Sequence, residues 1–149
     1  MKRVIEFGKI DFYGTGRRIN AVTVEMELRG TEERPVFSCC ANVWNAKRTD
    51  IVMGRQCLDS ILFYLKGNRK FREIHDLWKK HHLNDMHAGT ERQEACLKAN
   101  HERRDYITDK AWLEKWGLLW DEDYKYGTAW LYRPIPKVDL DRIKEIMEE

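Results

Sequence analysis

The stretch from Ala21 to Arg29 reads AVTVEMELR and alternates apolar with polar side chains. A period of two residues is that of a β-strand with one buried and one solvated face. The segment from Val4 to Phe12 is rich in β-branched and aromatic residues, and glycines that permit a tight reversal follow it. After a polar turn, Val36 to Trp44 again places apolar residues on one face. The first third of the chain is therefore predicted to form a three-stranded antiparallel meander.

After Trp44 the apolar residues recur every three or four positions, which indicates helices. A first helix is predicted from Gln56 to Lys66, and Gly67 with Asn68 is predicted to supply its left-handed stop. A second helix follows and ends near Leu83. Its apolar stripe is expected to pack on the inner face of the sheet. The stripe consists of Phe71, Ile74, Leu77, Trp78 and His81.

The carboxy-terminal half alternates helix caps, short apolar runs and turn residues. Thr90 has the spacing of a capping box, in which a threonine and a later Gln satisfy free amides at a helix start. The elements predicted here are a helix from Thr90, a helix capped by Thr108 or Asp109, short strands at 118–120 and 128–135, and a terminal helix at 138–148. The chain is thus expected to be one α+β domain over residues 1–149, with helices packed on one face of the sheet.

Composition excludes some classes of protein. Apolar residues make up 42% and charged residues 35% of the chain, and no apolar run approaches the length of a membrane span. A cytoplasmic protein is therefore expected. The formal charge of +2 does not favour a nucleic-acid partner. Cys39, Cys40, Cys57 and Cys96 form no C-x-x-C pair and are interpreted as small buried hydrophobic residues.

Four of the five histidines, His75, His81, His82 and His87, lie close together in the sequence. No histidine pair has the spacing of a helical zinc motif, so no metal is predicted, and His82 and His87 are only weak candidate ligands. Alternatively, these two side chains cap a helix end and a turn through ring-nitrogen hydrogen bonds.

The loop from Asn84 to Thr90 leads into a capped helix, so its amides and the helix dipole can receive an anion there. Asp85 and His87 can also form an acid/base pair, although a simple connector explains the same residues. Arg55 follows a glycine at a predicted helix start, which can seat a phosphate or merely begin the helix. Trp44 and Trp78 are candidate stacking residues beside basic groups. The candidate ligand-binding set is therefore Trp44, Arg55, Trp78, His82, Asn84, Asp85, His87 and Thr90.

Several segments resemble a family of small uncharacterised proteins of bacteriophages and prophages. The most specific is the run from Leu77 to Thr90, of the W-x-x-x-H-L-N-D-M-H-A-G-T type, in which this chain has His82 before Leu83. The other matching segments are 42–45, 54–59 and 126–132. No activity is assigned to that family, so the resemblance implies a phage accessory protein acting inside a bacterial host and no catalytic role for any residue.

No nucleotide-enzyme, kinase or hydrolase signature occurs in the sequence, so no cofactor is predicted and the balance leans against an enzyme. The leading hypothesis is a non-enzymatic binder that inhibits a host defence protein or sequesters a nucleotide-like signal. One alternative is a metal- or histidine-dependent hydrolase acting on nucleic acid or a nucleotide. Another alternative is a nucleic-acid-binding regulator. The sequence also allows the chain to form a homo-oligomer.

Overall fold

The structure, a computed structural model, describes residues 1–11, 20–82, 119–121 and 130–149. Its main feature is an antiparallel sheet in the order β1-β2-β3-β4. The strands are β1 (Lys2–Ile10), β2 (Asn20–Gly30), β3 (Pro35–Trp44) and β4 (Ile51–Gln56). The α+β class and the amino-terminal antiparallel arrangement are confirmed. The sequence predicts three strands in this sheet, whereas the structure has four, and β4 is the additional strand.

The alternation in β2 decides which face of the sheet is buried. Val24 pairs with Ala41 and Met26 pairs with Cys39 across β2 and β3, and Val24, Met26 and Ala41 are fully buried. The β2–β3 turn depends on Gly30, whose φ is +81° and whose missing Cβ would lie 2.2 Å from the carbonyl oxygen of Arg34. Only glycine fits this close approach without displacing the backbone.

Strand β4 is absent from the sequence prediction, which begins a helix at Gln56. In the structure Gln56 still pairs with Ala41, and β4 runs back to Ile51, which pairs with Trp44. Ile51 and Val52 are about half exposed, at 52% and 54%, so this strand lacks the buried alternation that identifies β2. Its pairing is also interrupted by register shifts, which further obscure the pattern.

Three helices lie within the described part of the chain: α1 (Leu58–Leu65), α2 (Arg69–His81) and α3 (Lys137–Glu148). The expected left-handed stop at Gly67 is wrong, because only Gly8 and Gly30 have positive φ among the described glycines. Instead Asn68 begins the next helix, where its side-chain oxygen accepts the Phe71 amide at 3.0 Å. Because Asn68 caps the start of α2, the chain passes from α1 to α2 without a left-handed residue at the end of α1.

The core lies between the inner face of the sheet and the three helices. Its largest fully buried side chains include Phe37 from β3, Leu58 from α1, Phe71 from α2 and Ile143 from α3. The inward stripe predicted for α2 is confirmed at Phe71, Ile74, Trp78 and His81, which are all buried. Arg3 of β1 donates to the carbonyl oxygen of Ile146 and so joins the sheet to the last turn of α3.

The predicted short strands are present as β5 (Leu119–Asp121) and β6 (Trp130–Tyr132), which pair antiparallel. Strand β5 has the predicted length and is shifted by one residue, whereas β6 is shorter than the predicted strand at 128–135. The turn at 13–16 and the predicted helices starting at Thr90 and at Thr108 or Asp109 lie outside the described residues. Across the described ranges, no helix is long and apolar enough to cross a membrane.

Candidate functional site

A cavity of about 510 Å³ opens beside β1, β2 and β3 where β4 ends and α1 begins. We call it the sheet cavity. It is lined by Lys2, Glu25, Cys40, Arg55, Gln56 and Trp78, among others. Its volume lies within the range of about 300–1,000 Å³ that is usual for small-molecule sites.

Strand register builds one wall of the sheet cavity. Lys2 pairs with Glu27 across β1 and β2, and Glu25 pairs with Cys40 across β2 and β3. Because side chains alternate along a strand, these polar residues lie on the face opposite the buried Val24 and Met26. The polar half of the β2 alternation thus faces the cavity, while the apolar half faces the core.

A β-bulge positions Arg55. Ala41 pairs with Gln56 and Val43 pairs with Met53, so Gly54 and Arg55 together oppose the single residue Asn42. The side chain of Asn42 accepts the Arg55 amide at 3.0 Å, and Arg55 has a φ of +52°. A non-glycine residue in this left-handed region costs about 1–3 kcal/mol. Bulges of this kind redirect a side chain, and here Arg55 is directed into the sheet cavity.

Two of the three cations that line the sheet cavity form ion pairs with carboxylates. Lys2 Nζ lies 3.1 Å from Glu25 Oε1, and Arg29 Nε lies 3.5 Å from Glu27 Oε1. By contrast, no carboxylate among the described residues pairs with the Arg55 guanidinium. The cavity therefore presents one cation whose hydrogen-bond donors are available to an anionic ligand.

The Cys40 thiol in this cavity is not activated as a nucleophile. Burial raises the pKa of the Cys40 thiol, and the Glu25 carboxylate raises it further, while Arg55 and Lys2 act weakly in the opposite direction. The reactive form of cysteine is the thiolate, which a raised pKa disfavours. The Cys40 side chain therefore suits a binding role better than covalent catalysis.

Trp78 belongs to a row of aromatic rings along α2. The rings of Phe71, His75, Trp78 and His82 follow one another, with centroids 6.3, 5.9 and 4.7 Å apart. Trp78 is only 3% exposed, so it forms part of the cavity wall and does not project into solvent. His82 stacks on it at an interplanar angle of 26° and supports its position.

His82 is buried at the carboxyl end of α2, with 1% exposure. Its Nδ1 donates to the carbonyl oxygens of Trp78 at 3.0 Å and Lys79 at 2.9 Å, as expected of a histidine that caps a helix end. Donation from Nδ1 leaves the lone pair on Nε2. Nε2 is buried without a hydrogen-bond partner in the part of the chain that the structure describes.

Two other histidines of α2 bind carboxylates at the starts of neighbouring helices. His75 Nε2 lies 2.7 Å from Asp59 in the first turn of α1, and His81 Nε2 lies 2.8 Å from Asp139 in the first turn of α3. Burial acts to raise the pKa of Asp59, but hydrogen bonds from Lys79 and His75 outweigh it and the net pKa is lowered. These pairs hold helices together, and sequence spacing did not reveal them.

Hydrogen bonds from Lys80 and then from His81 hold the pKa of Asp139 below its usual value. Lys80 also lines a wide groove of about 970 Å³ between α2 and α3. We call this the helix groove. It brings Arg142 of α3 together with four basic residues of α2, namely Arg69, Lys70, Arg72 and Lys80.

The structure brings some of the predicted site residues together and separates others. Arg55 and Trp78 line the same cavity, and His82 stacks on Trp78. Trp44 does not line this cavity; its indole donates to Thr23 at 2.8 Å, and Arg48 lies over its ring at 5.5 Å. The remaining candidates lie outside the described residues: Asn84, Asp85, His87 and Thr90.

The structure corrects the interpretation of the cysteines as buried. Cys57 is exposed, because it is the extended residue that precedes α1, and Cys39 and Cys40 are partly exposed. Cys96 lies outside the described residues. Within the described ranges, no three His, Cys, Asp or Glu side chains are grouped closely enough to hold a metal ion. Of the two weak candidate ligands, only His82 is placed by the structure.

Comparisons of this chain with protein-family models, curated proteins and solved structures gave no match.

Proposed function

We propose that this chain is a phage accessory protein that acts in the cytosol of a bacterial host as a binding protein. It inhibits host defence by sequestering a nucleotide-like signal or by binding a defence protein. The observation that carries this proposal is the Arg55 guanidinium in the sheet cavity beside Trp78, for which the described residues supply no carboxylate partner. The phage context comes from the sequence resemblance alone.

A phosphate-bearing ligand suits the cavity on chemical grounds. A guanidinium donates two parallel hydrogen bonds to phosphate oxygens, and such charge-assisted bonds are about twice as strong as neutral ones. The bulge at Gly54 and Arg55 fixes the backbone from which this group projects. Gln56 and Ser38 add neutral polar groups to the lining. The raised pKa of Cys40 favours holding a ligand over attacking it.

Calorimetric titration with a panel of mono-, di- and cyclic nucleotides tests this function. One member is expected to bind with one site per chain, and Arg55→Gln is expected to weaken binding about 10- to 100-fold, since a charged hydrogen bond contributes about 1.5–3 kcal/mol. Lys47→Gln removes a positive charge from the exposed β3–β4 connection, outside the cavity, and is the matched control. No binding across the panel, or equal effects of both variants, would contradict the nucleotide ligand. A host defence protein that copurifies with both variants would favour the protein target.

A histidine-dependent hydrolase is the second candidate, and one observation favours it. The Nε2 atom of His82 carries a lone pair that the described residues leave unused, as a general base or metal ligand requires. His82→Asn preserves a donor near the Nδ1 position and removes Nε2. Loss of nucleotide or nucleic-acid hydrolysis in this variant, with an unchanged melting temperature, would support the hydrolase. Absence of hydrolysis in the unaltered protein, with and without divalent cations, would refute it.

A further inference from the structure

The amino-terminal turn of α2 carries positive charge where a helix tolerates it least. Arg69, Lys70 and Arg72 lie in or next to this turn, which contains no acidic residue. A helix amino terminus already bears a partial positive charge, so each cation there costs up to about 1 kcal/mol at low ionic strength. Fold stability alone does not favour this arrangement, whereas a bound anion would offset it.

Two of these three cations have no carboxylate partner in the part of the chain that the structure describes. Lys70 pairs with Glu149 at 2.5 Å, and Arg142 pairs with Glu73 at 2.6 Å. Among the described residues, however, no carboxylate lies within ion-pair distance of Arg69 or Arg72. Lys66, at the end of α1, likewise has no such partner there and lies over an aromatic ring. Three cations are thus available at one end of the helix pair.

The ring beneath Lys66 belongs to Phe63, which is 72% exposed. Lys66 Nζ lies 5.2 Å from the ring centroid, and Tyr64 packs edge-on against the ring at 5.4 Å. An exposed phenylalanine adds little to the free energy of unfolding, because its apolar surface stays in water. Its free face can stack with a planar group.

Phe63, Arg72 and Arg69 belong to one continuous surface. Phe63, Lys66 and Arg72 line a shallow depression of about 740 Å³, and Arg72 also lines the helix groove together with Arg69. Arg72 and Asp76 are common to both concavities. The surface from Phe63 through Arg72 to Arg69 therefore offers a stacking platform followed by cations, and we call it the basic strip.

We infer that the basic strip binds single-stranded nucleic acid. Strands without base pairs expose bases that stack on aromatic rings, while their phosphates follow a line of basic side chains. Phe63 would take a base, and Lys66, Arg72 and Arg69 would take successive phosphates. A duplex fits less well, because its bases are already stacked on one another. The strip shares no lining residue with the sheet cavity, so either site can be refuted without affecting the other.

Two acids line the depression that holds Phe63. Asp59 is paired with His75 and Lys79, whereas Asp76 opposes binding and provides an internal check. Asp76 lies between the two concavities with a side-chain exposure of 78%, and its only partner among the described residues is the His75 ring at 3.3 Å. The other acids lining the helix groove are paired with Lys or Arg. Asp76→Asn is therefore expected to tighten binding about two- to fivefold.

Fluorescence anisotropy with a labelled 12-nucleotide oligothymidylate tests the inference. If three phosphates are neutralised, log K is expected to fall with log salt at a slope of about −2. The double variant Arg69→Gln and Arg72→Gln should reduce the slope to about −0.7, since only Lys66 remains. Phe63→Ala should weaken binding about tenfold and leave the slope unchanged. Lys47→Gln, which removes an exposed charge from the β3–β4 connection, is the matched control.

Each altered side chain is exposed, and circular dichroism verifies that the variants fold. No binding of the oligonucleotide at 50 mM salt would overturn the inference. So would equal affinity for a duplex of the same length, or an unchanged affinity in the Phe63→Ala variant. If inorganic polyphosphate of equal charge competes as well as the oligonucleotide, base stacking contributes nothing and the inference is likewise overturned.

Discussion

Asp139→Asn tests the connection between α2 and α3. The Asp139 carboxylate accepts hydrogen bonds from His81 at 2.8 Å and Lys80 at 2.9 Å. The His81 side chain is 2% exposed, so this hydrogen bond is shielded from solvent. The substitution keeps the shape of the side chain and removes its charge. Stability and its dependence on pH should therefore both change.

The expected magnitude follows from the exposure of each partner. A hydrogen bond between a buried donor and a charged acceptor contributes about 1.5–3 kcal/mol, whereas the pair with the exposed Lys80 contributes about 0.5 kcal/mol or less. Asparagine still offers one acceptor oxygen to His81, so part of the larger contribution is retained. We expect Asp139→Asn to lower the free energy of unfolding by about 1–2 kcal/mol at pH 7. The melting temperature should fall by about 2–8 °C.

The pH dependence supplies the stricter test. The pKa of Asp139 is lowered in the folded protein, so its stabilising effect is fully present above the unfolded pKa of about 3.9 and is lost as pH falls through the lower folded value. Urea unfolding followed by tryptophan fluorescence should therefore show a difference at pH 7 that shrinks below about pH 3.5. Asp141→Asn, whose only partner among the described residues is the exposed Lys137, should change stability by less than about 0.5 kcal/mol. Equal effects of the two variants, or a difference independent of pH, would refute the reasoning.

Two further predictions concern the backbone and the core. Gly30→Ala should lower the free energy of unfolding by more than about 2 kcal/mol, because its Cβ would meet the Arg34 carbonyl, whereas Gly8→Ala, with open space around it, should cost about 1 kcal/mol from its φ of +94° alone. Chemical denaturation of both variants measures this, and equal losses would show that the close approach is unimportant. Ile143→Ala, fully buried on α3, should cost about 2–5 kcal/mol, and Val138→Ala, 75% exposed on the same helix, less than about 0.5 kcal/mol. A thermal melt in which both variants behave alike would show that α3 is not packed as described.

Strong local patterns made part of the fold predictable. Strand β2 and helix α2 have clear periods of two and of three to four residues, and both were placed within a few residues of their observed bounds. The sequence does not predict β4 because Ile51 and Val52 remain exposed and the pairing is broken by a bulge at Gly54 and Arg55. An edge strand of this kind is held by backbone hydrogen bonds to β3. These bonds do not require alternating apolar side chains, so the sequence shows no period of two.

For the candidate site, the sequence predicts which types of residue bind a ligand but not where the fold places them. Arg55 and Trp78 were selected because a guanidinium and an indole can bind a phosphate and a base. The expected context of Arg55 at a helix start was wrong, because Arg55 lies in β4. Phe63 was not selected, since the period of α1 marks which residues face the core but does not show what lies beside an exposed ring.

By itself, the sequence determined the α+β class, the buried face of β2, the stripe of α2 and the absence of known catalytic signatures. These features depend on neighbours within a few residues, so a linear pattern records them. Only the tertiary structure decided that Arg55 shares a cavity with Trp78, that His81 binds Asp139, and that Phe63 lies beside Arg72. Such contacts join side chains that are distant in the chain, and they exist only after strand register and helix packing have brought those segments together.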